Sequence, residues 1–432
     1  VRPRQRRAVL LLDRPEETTR LVEIAVVRPR VQRCETLLAA TAAATPVADI
    51  EKVSTAAALG RVLAADQVSG LQVPPLDNSS MDGYAINTAD VTAAGARLTV
   101  AQRIPAGAVG HTLARGTAAR IFTGAPVPRG ADAIVMQELC STDGDSVVID
   151  HVPKPGEWIR RAGEDIARGS TVLAAGVRLN PQMLGLAASV GCARLPVYRR
   201  LRVALFSTGD ELVMPGDPLP PGAIYNSNRY VLRGLLEALG CEVSDLGIVP
   251  DDLDATRAAL RGAAAGNDLI VTSGGVSVGE EDHVKPAVQA EGQLDLWLVA
   301  MKPGKPVAFG RVNDPAGGAG AAFIGLPGNP VSSFVTFIML VRPFVLRAMG
   351  VADCLPREIP LTAGFDWPRP DRRREFLRAR IGADGRVALF PNQGPGVLTS
   401  TVWADGLVST PPGTSLAAGG QVQFIPYSEL LS

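Results

Sequence analysis

A chain of 432 residues, 46% hydrophobic and 20% charged, is long enough for about two to four domains and apolar enough to bury their cores. Its 43 basic and 43 acidic residues cancel, which removes the electrostatic footprint of a nucleic-acid binder. The 45 Gly and 34 Pro follow no period of three, so they read as tight loops and exclude a collagen-like chain.

In chain order, residues 1–30 carry eight Arg and four acids and an apolar stretch too short for a signal peptide. They are expected to be a disordered or overcalled extension. Gln32 to Leu63 is Ala-rich with helical spacing and is expected to form one or two helices ending near Gly60. From Leu71 to Val152 the texture changes to short β-like runs: Arg97 to Val100, Ala119 to Phe122, Ala133 to Gln137 and Ser146 to Ile149. A short helix is expected after Pro181. The organisation this suggests is a scaffold domain of 31–68 and 161–200, interrupted by a β-rich module at 69–160.

Residues 201–349 alternate strand, loop and helix. Strands are expected at Leu201 to Phe206, Cys241 to Val249, Asp268 to Thr272, Leu294 to Ala300 and Ala322 to Gly325. Helices are expected at Tyr230 to Leu239, Leu253 to Ala265, after Asp282, and from Pro330 to Met349. This alternation implies a doubly wound, mostly parallel α/β sheet. In such a sheet the loops at the carboxyl ends of the strands share one ligand crevice, so Ser207 to Glu211, Asp251, Ser273 to Asp282, Lys302 to Lys305 and Pro327 to Asn329 should converge. Residues 350–432 show only short runs and read as a small β-barrel-like domain.

The chemistry-bearing residues lie in those loops. Ser273 to Gly279 joins a strand to a helix, where backbone N–H groups favour a phosphate; it reads either as that or as a tight connection. Glu280, Glu281 and Asp282 beside it either complement the helix dipole or hold Mg²⁺ between carboxylates and phosphate. The chain has only five Lys, and two of them, Lys302 and Lys305, sit in one K-P-G-K-P loop. A compact ammonium suits an oxyanion that needs a point charge. Asp210 reads as a helix cap or an acidic group in the crevice, and Asn329 as a cap or a ligand contact. The polar loops Asp77 to Tyr84 and Arg120 to Pro126, the latter with Thr123 in a Gly-Pro turn, are ordinary loops when read alone. The five Cys are dispersed without a C-x-x-C pair, so neither a disulfide framework nor a zinc site is indicated. A reducing cytoplasm is the expected compartment, and no membrane segment is expected from the apolar run Val331 to Val341.

Together, D-N-S-x-M-D-G-Y-A, R-I-x-T-G-A-P-x-P, the G-E-D-I of 163–166, S-T-G-D-E-L, S-G-G-V-S-V-G-E-x-D, M-K-P-G-K-P and G-L-P-G-N-P-V-S occur here in one order. They resemble the MoeA family of molybdopterin molybdenumtransferases, similar also to the gephyrin E domain and plant molybdenum insertases. The resemblance covers about residues 31–432. It implies a MogA-like sheet domain and insertion of molybdate into adenylylated molybdopterin, with Mg²⁺-dependent release of AMP. It also implies a homodimer with its site between subunits, and a molybdopterin adenylyltransferase as a partner. By motif position the resemblance assigns catalysis to Asp82, Thr123, Asp165, Glu211, Asp282 and Lys302. Substrate binding falls to Arg160, Asp251, Ser273, Gly274, Gly275, Ser277, Lys305, Pro327 and Asn329, and Mg²⁺ to Glu211 and Asp282. The sequence departs from the family's pattern at Leu298, Asn226 and Pro395. A pterin-binding or scaffolding paralogue of weak activity and a molybdopterin adenylyltransferase are the alternatives.

Overall fold

The computed structural model describes residues 44–276 and 283–431, with nothing described of the side chains of residues 296–297. The extension at 1–30, Ser277 and Glu280 to Asp282 lie outside the described residues. The described chain divides into two units, one of residues 44–201 and 345–354, the other of 202–344 and 355–431.

In the first unit the strands of four or more residues are β1 (Ile50–Ser54), β2 (Gly83–Ile86), β3 (Ala96–Ile104), β4 (Thr117–Ile121), β5 (Ala133–Met136), β6 (Cys140–Asp143), β7 (Ser146–Ile149) and β8 (Arg194–Tyr198), with helix α1 at Pro181–Ser189. Of the helical stretch expected from Gln32 to Leu63, residues 32–43 lie outside the described residues; the described part is corrected, since Ile50–Ser54 is a strand and a single 3₁₀ turn follows at Thr55–Ala57. β1 pairs antiparallel with β8, from Ile50 opposite Tyr198 to Ser54 opposite Arg194. That long-range ladder, with buried Ala58, Leu63, Leu195 and Val197 below it, outweighs the local helix preference of the Ala-rich stretch. Six strands form one sheet in the order β5-β2-β4-β3-β7-β6. Alternation along β2 sends Tyr84 and Ile86 into one core with Leu98, Val135 and Val147, and Ala85 into another with Ile104, Ile121 and Ile134. Both faces are therefore covered, as the period of two requires.

The second unit begins with β9 (Arg202–Thr208), α2 (Ser227–Ala238), β10 (Glu242–Val249), α3 (Leu253–Ala264), β11 (Leu269–Ser273), α4 (Val284–Glu291), β12 (Gly292–Leu298), β13 (Met301–Lys302), β14 (Pro306–Val312) and β15 (Ala321–Leu326). The sheet order is β10-β9-β11-β15-β14-β12. β10, β9, β11 and β15 are parallel to one another, while β14 and β12 pair antiparallel. Phe206, Ile270 and Phe323 pack in one core with residues of α3 and α4. Val203, Leu205, Val271 and Ile324 on the alternate positions are buried as well, which is why these strands read as unbroken apolar runs. β14 was not among the expected strands, because its Pro and Gly punctuate the run.

A helix, α5, spans Pro330–Ala348 with a π-helical turn at Phe337–Val341. It is long and apolar enough to cross a membrane by length and composition, but 94% of its most apolar 18-residue stretch is buried, the mark of a core helix. The remaining strands are β16 (Ile359–Thr362), β17 (Arg374–Ile381), β18 (Val387–Leu389), β19 (Gly406–Thr410) and β20 (Gln421–Pro426). They pair in the order β17-β19-β20-β16, with β18 on the other edge of β17. A bridge from Ala363 to Val387, with the Gly364 N–H donating to the Val387 carbonyl at 2.8 Å, joins the end of β16 to β18. The ring of strands closes there, giving the barrel-like form expected. β13 adds to this module as a parallel neighbour of β17.

Candidate active site

The parallel strands β9, β11 and β15 deliver Ser207–Glu211, Ser273–Val276 and Pro327–Asn329 to one edge of the sheet. β10 brings Asp251 to the same edge. β12 runs with the parallel strands across the reversed β14, so the Lys302–Lys305 loop that follows it also belongs there. The described loops converge as expected, and they are tied together. The Asp251 N–H donates to Asp210 Oδ1 at 3.1 Å, and the Ser207 and Ser273 hydroxyls lie 3.2 Å apart. Asn228 Nδ2 donates to the Gly328 carbonyl at 2.8 Å.

Two glycines permit this close approach. Gly274 has φ +90° and an added Cβ would sit 2.3 Å from the Thr208 carbonyl oxygen; Gly275 has φ +61° and its Cβ would meet Val284 at 2.4 Å. Only Gly tolerates both the dihedrals and the space. Thr208 Oγ1, Asn226 Nδ2 and Asn228 Oδ1 are buried without a hydrogen-bond partner among the described residues. Buried polar atoms left this way are costly, and a polar ligand or ordered water completes such an edge.

The expected residues divide by exposure. Ser273 and Pro327 are buried, Asp251 is half-buried, and Glu211, Lys305 and Asn329 are exposed. Asn329 stands at the N-cap of α5 but makes no side-chain cap bond. Asp210 does not cap α3 either; Asp252 does, accepting the Ala255 N–H at 2.8 Å. Asn226, one of the departures, caps α2 through Oδ1. Leu298, another, lines a pocket of about 340 Å³ with Lys305, Asp371, Arg372 and Arg373. Pro395, the third, accepts the Val331 N–H at the start of α5 at 3.0 Å.

Lys302 is held by acids that sequence reasoning missed. Its ammonium lies 3.1 Å from Glu375 Oε1 and 3.4 Å from Asp371 Oδ2. Asp371 is bound by Arg373 through Nε and a terminal nitrogen, both at 3.0 Å, and the Arg373 guanidinium holds its carboxyl well below the usual carboxylate range. The sequence carries no local signal for them: Glu375 lies in the run R-E-F-L-R-A-R-I, where three Arg make a Glu look like one more surface charge, although it is buried and paired.

The first unit carries a separate polar cluster. The Thr123 N–H and hydroxyl both donate to Asp82 Oδ1, at 2.8 and 2.7 Å, and hold the Asp82 carboxyl below its ordinary value, the backbone bond contributing most. Gly83 is required beside it, because a Cβ there would lie 1.9 Å from the Val135 carbonyl oxygen. The Arg120 guanidinium lies over the Phe122 ring at 4.5 Å and donates to the Gly83 carbonyl at 2.8 Å. Asp77 accepts from Arg161 at 2.7 Å and from the Ala162 N–H at 2.8 Å. Arg160, paired opposite Asn78 in a two-residue strand, and Asp165 are both exposed. Among the described residues no group of three or more His, Cys, Asp or Glu is placed to hold a metal ion.

Three family models match the chain: the MoeA N-terminal region at residues 31–191, a probable molybdopterin binding domain at 204–347 and the MoeA C-terminal region at 360–427. This chain belongs to the MoeA family. A molybdopterin molybdenumtransferase of Haemophilus influenzae is 44% identical over 295 residues, 68% of this chain and 71% of the relative. Molybdopterin molybdenumtransferase 2 of Mycobacterium tuberculosis is 42% identical over 383 residues, 85% of this chain and 92% of the relative. Among solved structures, a molybdopterin biosynthesis MoeA protein from Pyrococcus horikoshii OT3 superposes with a TM-score of 0.79 at 28% identity, covering 92% of this chain and all of the other. The MoeA match thus spans the scaffold, sheet and barrel regions alike.

Proposed function

We propose that this chain is a molybdopterin molybdenumtransferase of molybdenum cofactor biosynthesis, inserting molybdate into adenylylated molybdopterin with release of AMP. The observation that carries the reading is the convergence of the S-T-G-D-E-L, S-G-G, K-P-G-K-P and L-P-G-N loops on one sheet edge, in a chain of MoeA family membership. Buried, unpartnered polar atoms at that edge fit a polar substrate.

In this reading Lys302 and Lys305 offer ammonium groups to molybdate or phosphate oxygens. The Gly274–Gly275 turn lets the substrate approach the backbone closely. Asp210, Glu211 and Asp251 supply carboxylate oxygens, the donor chemistry that Mg²⁺ takes with one or two protein ligands and substrate phosphates. Glu211 and Asp282 would hold Mg²⁺, which when bound would neutralise the phosphate charge as AMP leaves. Asp82, held as an ionised acceptor by Thr123, with Asp165 and Arg160, would complete the site from a second copy of the chain in a homodimer. A molybdopterin adenylyltransferase would supply the substrate. A reducing cytoplasm fits the free thiols Cys140 and Cys192.

The test is purified protein with adenylylated molybdopterin, molybdate and Mg²⁺. Molybdate-stimulated AMP release is expected. Binding of the substrate without that release would replace the transferase with a pterin-binding paralogue.

A further inference from the structure

Glu375 lies in β17 and is 1% exposed. Its Oε2 accepts hydrogen bonds from Trp367 Nε1 and the Asp371 N–H, each at 2.9 Å. Its Oε1 has no well-aligned hydrogen bond of its own; what it has is the Lys302 ammonium at 3.1 Å. Asp371 is the weaker partner, farther away and already bound by Arg373. The backbones are coupled too, since Lys302 is paired opposite Glu375 between β13 and β17.

The pair is lopsided in burial. The Lys302 side chain is 43% exposed and that of Glu375 is 1% exposed. A buried carboxylate is tolerated only when paired and hydrogen-bonded, so Glu375 is locked by Trp367 and Asp371 beneath an ammonium that still meets solvent. A Lys side chain is rich in rotamers, and holding its head from below removes that freedom before a ligand arrives. Neither the K-P-G-K-P motif nor the sheet domain supplies this hold; the C-terminal β module does.

We infer that Glu375 is a positioning residue for Lys302, a buried acid of the C-terminal module that sets the direction in which the sheet domain offers its ammonium to an oxyanion. The catalytic half of this inference rests on the proposed transferase reading; the structural half does not.

Five Lys in the chain make the side chain directly observable. In full-length protein labelled with [6-¹³C]lysine, Lys302→Arg assigns the Lys302 Cε resonance. Glu375→Gln keeps an oxygen for Trp367 but removes the charge. It is expected to move the Lys302 resonance toward that of a solvent-exposed lysine while the other four stay in place. Molybdate-stimulated kcat should fall about 10-fold, the loss of a positioned group, with KM for adenylylated molybdopterin changed less than about 3-fold. Lys302→Ala with Glu375→Gln should be no slower than Lys302→Ala alone. If Glu375→Gln fails to fold, Glu375→Asp, which keeps the charge but withdraws it, is expected to move the same resonance by a smaller amount. An unmoved Lys302 resonance in the folded variant, or losses that add in the double variant, overturns the inference. A wild-type protein with no molybdate-stimulated turnover overturns the transferase reading instead and leaves the resonance test to decide the positioning.

Discussion

Asp82 and Lys302 are both motif residues held in place by neighbouring polar side chains, Asp82 by hydrogen bonds and Lys302 by ion pairs. Asp82 and its partner border paired strands of one sheet: Asp82 immediately precedes β2, and Thr123 comes just after β4, which pairs with β2, and both residues belong to recognisable polar loops. Lys302, in β13 at the edge of the barrel sheet, is held by Glu375 directly opposite it in β17, a residue more than 70 positions along the chain and in no loop motif. The first arrangement joins two loops of the β-rich module. The second makes a sheet-domain residue depend on the barrel. Substitutions at the two places should therefore differ in kind as well as size.

The largest expected effect is at Lys302. Lys302→Ala should lower kcat/KM for molybdate-dependent turnover by about 100-fold, the usual scale for removing one electrostatic donor, while Arg311→Ala stays within about 2-fold. Equal losses would remove the distinction between a site lysine and surface charge. Lys302→Ala should also cost about 1–2 kcal/mol in denaturant unfolding, since it strips a buried carboxylate of a half-exposed partner.

Thr123→Val is expected to be milder, about 10-fold in kcat/KM, and to carry a pH signature. Asp82 has a folded pKa depressed first by the Thr123 N–H and then by its hydroxyl. Removing the hydroxyl raises that pKa part of the way, so the acid limb of the pH–rate profile should move to higher pH. An unmoved limb would mean that the ionised Asp82 is not used.

Gly275→Ala tests the close approach at the crevice. A Cβ 2.4 Å from Val284 at φ +61° should cost about 1–3 kcal/mol of stability; a neutral result in urea unfolding would show that the loop relaxes freely. The smallest effect is on the acid side. Asp371 has a depressed folded pKa, caused chiefly by Arg373. Its stabilisation is therefore present above the unfolded value of about 3.9 and is lost as pH falls through the folded one. Wild type should lose more stability than Asp371→Asn between about pH 5 and pH 2.5; parallel curves would remove Asp371 from the account of the Lys302 site.

The same comparison explains what the sequence made legible. Strand runs such as Leu201 to Phe206 and Asp268 to Thr272 announce themselves because burial on both faces leaves no polar alternation. Their loops then locate the crevice, since a doubly wound sheet has only one ligand-binding edge. The described part of the Ala-rich stretch Gln32 to Leu63 misled, because β1 forms by pairing with a strand more than a hundred residues away, and no local pattern encodes that partner. Glu375 and Asp371 stayed hidden for the same reason. A buried acid looks like any other strand Glu until the ammonium it faces is known, and that ammonium arrives from more than 70 positions away along the chain.

One assay bears most directly on the central claim. Purified protein is incubated with adenylylated molybdopterin and Mg²⁺, with and without molybdate, and AMP release is followed in wild type and Lys302→Ala. Molybdate-stimulated AMP release by wild type, lowered about 100-fold in the variant as expected for a lost electrostatic donor, is the result that agrees. AMP release that ignores molybdate, or that is the same in both proteins, would contradict it.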